Sequence, residues 1–449
     1  MAYISRTQTA GNQKTFTLSF WVKRANVTDE QCFFSISNGG SYMQLKFNSD
    51  KYLEYNDGPS TIRFITSRKF RDPSAWYHIV IKYDSTESVE ADRFKMFING
   101  TQETSFGTAT YPGLNTDSQI NINTGVLRIG VDQSTTGTYY GEMSWVQLVD
   151  GTALDATSFG SVDSTSGIWK IKPSAYGTPG TNGFCLAMED RSNLDLDTSS
   201  NAFTFTTTGT LTPTTDNPSN NFCTMNSNVA NRSGFTWSNG NNKVTTAGSA
   251  GSGATMGVMG GKWYYEIYID TLGNIYGGWQ DLSNLEADLN EFVPRGAVCM
   301  NNTPDIYYNG SGSAVSSGYK GVSSLAASGY YGFAFDVPNL KCWWSENGQW
   351  YTANSGTAST LTRAEVTSNT SGFDCTTAST MSSSSIIGPF MGCSTSATTN
   401  SFNFGNGVFG TTALTGTTYT DDNDQGVFKY EPPDGFRALC TKNIKAYGG

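Results

Sequence analysis

Apolar and polar residues alternate along much of this chain. In Thr15–Arg24, Phe16, Leu18, Phe20 and Val22 fall on one side, and Thr17, Ser19, Trp21 and Lys23 on the other. A period of two sends neighbouring side chains to opposite faces of a strand, so this pattern predicts one apolar face and one mostly wet face. Residues 32–37 read as the next strand, closed by Asn38-Gly39-Gly40, and residues 42–47 and 61–66 as short ones. In Trp76–Asp84, Tyr77, Ile79, Ile81 and Tyr83 share a face. Residues 94–98 run into Asn99-Gly100, a dipeptide suited to a tight hairpin because both central positions need positive φ. Residues 126–131 and 140–148 complete a first set of strands.

A second set starts near Phe222. Aromatic and β-branched residues fill 262–270, 305–308, 330–336, 341–345, 386–391 and 401–404, and Asn347-Gly348 marks another tight turn. One helical turn is expected at 286–292, and no long amphipathic helix anywhere. Residues 432–440 read as a turn leading into a short final strand. Between the two sets, residues 156–197 combine turn formers with aromatics, as in Ile168-Trp169-Lys170-Ile171, and are expected to pack on the first domain. Residues 198–221 are dominated by Thr, Ser, Asn and Pro and mark the boundary. The predicted fold class is all-β, with two antiparallel β-sandwich (jelly-roll) domains, 1–155 and 222–449, joined by an irregular connector, 156–221.

Composition sharpens this picture. Only 37% of the 449 residues are hydrophobic and 15% charged, yet 23 Tyr, 26 Phe and 10 Trp supply enough bulk for real cores. The net charge of −10 repels phosphate backbones and argues against nucleic-acid binding. The basic cluster Arg68-Lys69-Phe70-Arg71 reads as a solvated loop. Eight widely spaced cysteines, with no C-x-x-C, suggest buried thiols in a reducing compartment and no zinc site, with scattered disulfides in a secreted lectin as the alternative. No apolar run has the length of a signal peptide or a membrane span, so no membrane insertion is expected. Triplets such as Asn99-Gly100-Thr101 and Asn309-Gly310-Ser311 are expected by chance in a chain this rich in Asn, Ser and Thr.

Several of these runs have a familiar form. Ser19-Phe20-Trp21-Val22, Trp76-Tyr77-His78, Phe97-Ile98-Asn99-Gly100 and Tyr140-Gly141-Glu142-Met143 resemble the concanavalin-like, laminin-G-like domain over residues 15 to 155. Gly261-Lys262-Trp263-Tyr264-Tyr265-Glu266, Gly332-Phe333-Ala334-Phe335-Asp336, Trp344-Ser345-Glu346-Asn347-Gly348 and Asn403-Phe404-Gly405 resemble the SPRY domain over 222 to 415. The connector motifs Ile168 to Pro173, Tyr176-Gly177-Thr178 and Gly183-Phe184 resemble segments of marine bacteriophage virion proteins. So does the closing Pro433-Asp434-Gly435-Phe436 with Ala438-Leu439. The combination implies a phage structural protein, a fibre or capsid-surface protein located in the virion and assembled in the host cytoplasm. It implies binding to host-surface glycans or to other virion proteins through sandwich loops, homotrimers by analogy with phage fibres, and no cofactor.

Catalytic patterns are sparse. His78 is the one histidine, so any Ser-His-Asp arrangement must use it, and it reads as a satisfied strand residue. Glu90-Ala91-Asp92 begins the Glu-x-Asp-x-Glu spacing of glycosidases on this kind of sandwich, but Phe94 stands where the last carboxylate belongs. No enzyme is expected, although a glycan-degrading depolymerase and a secreted lectin are the alternatives. Asp421-Asp422-Asn423-Asp424-Gln425-Gly426 resembles the start of a calcium loop, but Pro432 holds the twelfth position and Glu431 comes one early. A tight turn, with no metal, is the expectation there. Asp190, Asp195 and Asp197 read as a second solvated acidic loop. Sugars are held by flat rings and by polar groups at the rim. Trp279, Gln280 and Asp281, then Tyr307, Tyr308 and Asn309, and Trp350 with Tyr351 have those types near predicted loops. Trp279, Asp281, Tyr307, Tyr308 and Trp350 are the candidate carbohydrate-binding residues.

Overall fold

The computed structural model describes residues 2–449 apart from 26, 59–60, 165–166, 174–176, 229–233, 285–291, 310–314, 357, 379–380 and 395. The helical turn expected at 286–292, Tyr176 of the connector motif and Gly310-Ser311 of one triplet thus lie almost wholly outside the described residues. Antiparallel strands dominate the rest, arranged as two sandwiches. The chain divides into two compact units, Met1–Pro213 with Asn217–Ser219, and Thr214–Asp216 with Asn220–Gly449.

The first unit faces an eight-stranded sheet against a six-stranded one. Thr15–Arg24 lies centrally in the smaller sheet, between Gly141–Asp150 and Trp76–Asp84. Phe16, Leu18, Phe20 and Val22 point into the core with Ile79, Ile81 and Tyr83, against Phe33, Phe34, Met43, Leu45 and Phe64 of the facing sheet. Asn99 and Gly100 both take positive φ at the predicted hairpin. Thr206–Thr208, inside the Thr- and Asn-rich stretch, pairs with Tyr3–Thr7 at the edge of the larger sheet.

The second face of Thr15–Arg24 departs from the alternation reading. Thr17, Ser19, Trp21 and Lys23 are all buried rather than wet. A hairpin from the connector, Gly160–Val162 with Trp169–Ile171, supplies the cover. Trp169 and Ile171 pack beside Trp21, Trp76 and Trp145. Periodicity reports two faces that differ, and says nothing of a remote segment that shields the more polar one.

The second unit pairs a ten-stranded sheet with a seven-stranded one. Lys262–Thr271, Tyr330–Asp336 and Lys341–Glu346 form the middle of the larger sheet. Their Tyr265, Phe333, Phe335 and Trp344 meet Trp279, Val298, Met300 and Met391 of the other sheet. The Tyr265 and Trp279 rings stand edge to face at 5.1 Å. The tail holds a two-residue strand, Arg437–Ala438, that runs parallel to Lys262–Thr271, and then a helix, Thr441–Tyr447. That helix is short, and Asn443 is its one buried residue, so it carries no apolar stripe to betray it. Among the described residues no helix is long and apolar enough to cross a membrane.

Candidate functional site

An open cleft of about 430 Å³ lies on the second unit. One wall comes from the hairpin that turns at Asn347-Gly348, where both residues have positive φ as the dipeptide predicts. Gln349–Tyr351 leaves that turn and pairs with Thr360–Leu361, which sets Trp350 opposite Leu361. Both are buried and form the floor. The chain then enters the helix Arg363–Thr367 through a capping box, in which Thr362 Oγ1 accepts from the Glu365 amide and the Glu365 carboxylate accepts from the Thr362 amide. The Thr362 amide and hydroxyl, both donating to the Glu365 carboxylate, hold that carboxyl below its usual range.

Tyr419, Tyr430 and Glu431 make the opposite wall. Tyr419 is held by a reciprocal pair of backbone hydrogen bonds with Phe428, at 3.0 and 2.8 Å. Gly348 allows the two walls to meet, because a Cβ there would stand 2.5 Å from Tyr430 Cδ1. Arg363 ties the walls together. Its Nη1 lies 2.7 Å from Glu431 Oε1 and 3.1 Å from Asp434 Oδ1, and donates to the Pro432 carbonyl at 3.2 Å.

Beneath Tyr430 sits a buried carboxylate, Glu266. It accepts from the amides of Tyr430 and Lys429 at 2.8 and 2.9 Å, from Asn403 Nδ2 at 2.9 Å and from the Tyr264 hydroxyl at 3.0 Å. Burial pushes its carboxyl up to about 7, although all four donors pull the other way. Glu266 thus anchors the wall without facing the cleft. The cleft itself offers two phenol rings, a carboxamide, hydroxyls, an Arg363–Glu431 ion pair and the Glu365 carboxylate over an apolar floor. Such a mixture suits a neutral, polyhydroxylated ligand that both stacks and hydrogen-bonds.

Of the residues chosen from sequence, only Trp350 belongs to this cleft. Trp279 lies mid-strand in Ile275–Asp281 and is 0% exposed, so in this conformation its ring has no face to offer a sugar. Asp281 is 4% exposed, and its Oδ1 accepts from the Ser283 amide and hydroxyl and from the Ile386 amide, which makes it a turn former. Tyr307 and Tyr308 are neighbours in one strand and point to opposite faces. The first packs on Tyr276 at 5.4 Å, the second beside Phe373 at 6.4 Å. The structure therefore does not gather the five into one place. Sequence reasoning missed Gln349, Arg363, Tyr419, Tyr430 and Glu431. Gln349 adjoins a recognised turn and was within reach, whereas the tail residues carry no local pattern that links them to it.

The other chemical candidates resolve as follows. His78 is buried, stacked on Trp21 at 4.7 Å, and Trp169 Nε1 donates to its Nδ1 at 2.9 Å. An indole N–H can only donate, so the neutral ring carries its proton on Nε2 and gives it to Ser19 Oγ, 2.9 Å away. That is the reverse of the direction a general base needs. Burial holds the imidazole down to about 3. Glu90–Asp92 forms an exposed 3-10 turn rather than a strand face. Asp421 spends its oxygens on the amides of Asn423, Gln425 and Ala438 and on Asn443 Nδ2, and so ties the tail to its last helix. Asp190 accepts the Ser192 amide in an exposed turn, and Asp195 accepts from Thr207 Oγ1. Asp197 is buried rather than solvated, and accepts the amides of Phe203 and of Cys185 in the strand Phe184–Leu186.

A family profile described as the concanavalin A-like lectin/glucanases superfamily matches residues 2–158. No curated protein matches the chain. Among solved structures, the chain is similar to a native heptameric SAP-like pentraxin from Limulus polyphemus, with 16% identity over 34% of this chain and 71% of that one, at a TM-score of 0.26. It is similar to a carbohydrate-binding protein, so described only provisionally, from Bacteroides ovatus, with 14% identity over 46% and 56%, at a TM-score of 0.32. It is also similar to the SPRY domain of human HERC1, with 11% identity over 36% and 87%, at a TM-score of 0.25. The fold of the first unit is the concanavalin-like sandwich.

Proposed function

We propose that this chain is a binding protein of the bacteriophage virion surface, a fibre or capsid-surface component that docks host-surface glycans in the cleft of its second unit. The observation that carries the glycan reading is the lining of that cleft, in which Tyr419, Tyr430, Gln349, Thr360 and Thr362 stand above Trp350 and Leu361. The lectin-type sandwich of the first unit supports the same class of ligand. The virion assignment rests on the resemblance of the connector and closing motifs to phage virion proteins. On this reading the chain breaks no bonds and is assembled in the host cytoplasm as a homotrimer alongside other virion proteins. Three weak sites on one particle would gain strength through effective concentration.

A glycan array probed with the purified chain tests the binding claim. The wild type is expected to retain a defined set of oligosaccharides, and Tyr430→Ala and Gln349→Ala each to lose them by about tenfold or more, as expected for a stacking or hydrogen-bonding contact. Retention unchanged in both variants removes the cleft from the account. Shortened glycan products after incubation would instead establish a depolymerase. Recovery of the chain's peptides from purified phage particles tests its location, and their absence from such particles contradicts it.

A further inference from the structure

Two cysteines far apart in sequence touch in the core of the second unit. Cys342 lies in the strand Lys341–Glu346, and Cys375 opens the short helix Cys375–Ala378. Their Sγ atoms are 3.6 Å apart, and both residues are buried among Phe373, Leu340 and Trp344. Cys375 is positioned by its amide, which donates to the Leu340 carbonyl at 2.9 Å. A disulfide needs the sulfurs at about 2 Å, a closure within reach of small side-chain rotations when the thiols already meet. Neither sulfur has a path to solvent in the closed state, so oxidation requires the segment to open. Its strand pairing is short, although Phe373 and Cys375 themselves are buried in the core. Phe373–Asp374 pairs with the neighbouring strand through two residues only, Lys341↔Asp374 and Cys342↔Phe373. Pairing this short belongs to the low-stability end of a fold.

We propose that Cys342 and Cys375 are a latent disulfide, closed by exchange with a small-molecule disulfide such as oxidised glutathione, which locks the 373–378 segment to the central strand. On opening, Cys375 loses its proton and its thiolate attacks one glutathione sulfur. A mixed disulfide forms and one glutathione leaves as the thiolate, which takes up a proton. The Cys342 thiolate then attacks the Cys375 sulfur and displaces the second glutathione. Two protein thiols are oxidised, and one glutathione disulfide is reduced to two thiols. The chain would thus keep its thiols in a reducing cell and gain a cross-link outside it.

The test is non-reducing peptide mapping of the full chain after native incubation with oxidised glutathione and blocking of residual thiols. The expected result is a cross-linked pair joining the Cys342 and Cys375 peptides. Reductant abolishes it, Cys299→Ser retains it and Cys375→Ser lacks it. The oxidised chain is also expected to unfold with an equilibrium constant about 100-fold smaller than the reduced chain. Absence of the 342–375 link in the oxidised wild type overturns the proposal, as does linkage spread evenly among the eight cysteines. Mapping of the wild type decides the matter even if Cys375→Ser fails to fold.

Discussion

At the scale of single residues, Glu266 and Asp57 place carboxyl groups where water cannot reach. Asp57 accepts from the Tyr55 and Ser118 hydroxyls and the Gln119 amide, and burial pushes it up to about 6. Glu266 rises from 4.5 to about 7. A folded state with the higher value holds its proton more tightly than the unfolded chain does. The stabilisation is therefore complete below the unfolded value and is lost as pH rises through the folded one. For Glu266 the loss amounts to about 3 kcal/mol across that window. Urea unfolding of the wild type is expected to show lower stability near pH 8 than near pH 5, and Glu266→Gln to flatten that slope, because an amide does not titrate. Parallel profiles for the two proteins would contradict this assignment.

At the scale of elements, the hairpin Gly160–Val162 with Trp169–Ile171 decides how the first sandwich differs from its sequence reading. The Trp169 ring lies so close that a Cβ on Gly160 would stand 2.4 Å from its Cε2. Gly160→Ala is expected to cost about 1–3 kcal/mol through overpacking, read as a lower denaturant midpoint. An unchanged midpoint would show that the ring moves aside freely. Trp169→Ala should admit water to His78, whose depressed value is caused by burial. A proton NMR titration has a single imidazole to follow, and its midpoint should climb from about 3 toward 6.5. An unmoved midpoint would mean that other groups exclude the solvent.

The same elements show what the sequence makes legible. Alternation located Thr15–Arg24 and Trp76–Asp84 and oriented their core faces correctly, because burial on one side of a strand writes itself into every second residue. The Asn-Gly pairs marked their turns because few other residues tolerate two positive φ values. The hidden outer face of Thr15–Arg24 was illegible, since its cover comes from residues more than a hundred positions downstream. So was the final helix Thr441–Tyr447, which lacks an apolar stripe.

At the scale of the whole molecule, the cleft shows the same limit. Gln349–Tyr351 and Arg363–Thr367 come from one stretch, while Tyr419 and Tyr430 arrive from the tail, anchored by Glu266 in a central strand. Residue type alone favoured Trp279, Tyr307 and Tyr308, yet large aromatics are the same residues that fill a core. Burial removes Trp279, whereas Tyr307 and Tyr308 are half-buried like Tyr419 and Tyr430 and differ from them in lying away from the cleft, a placement that only the fold supplies.

Amide hydrogen exchange on the full chain, with and without an oligosaccharide selected by the array, tests the central claim most directly. The account predicts slowed exchange in peptides covering 348–351, 360–365 and 419–431, and little change elsewhere. Protection confined to the first unit, or a bound glycan that leaves those three segments untouched, would contradict it.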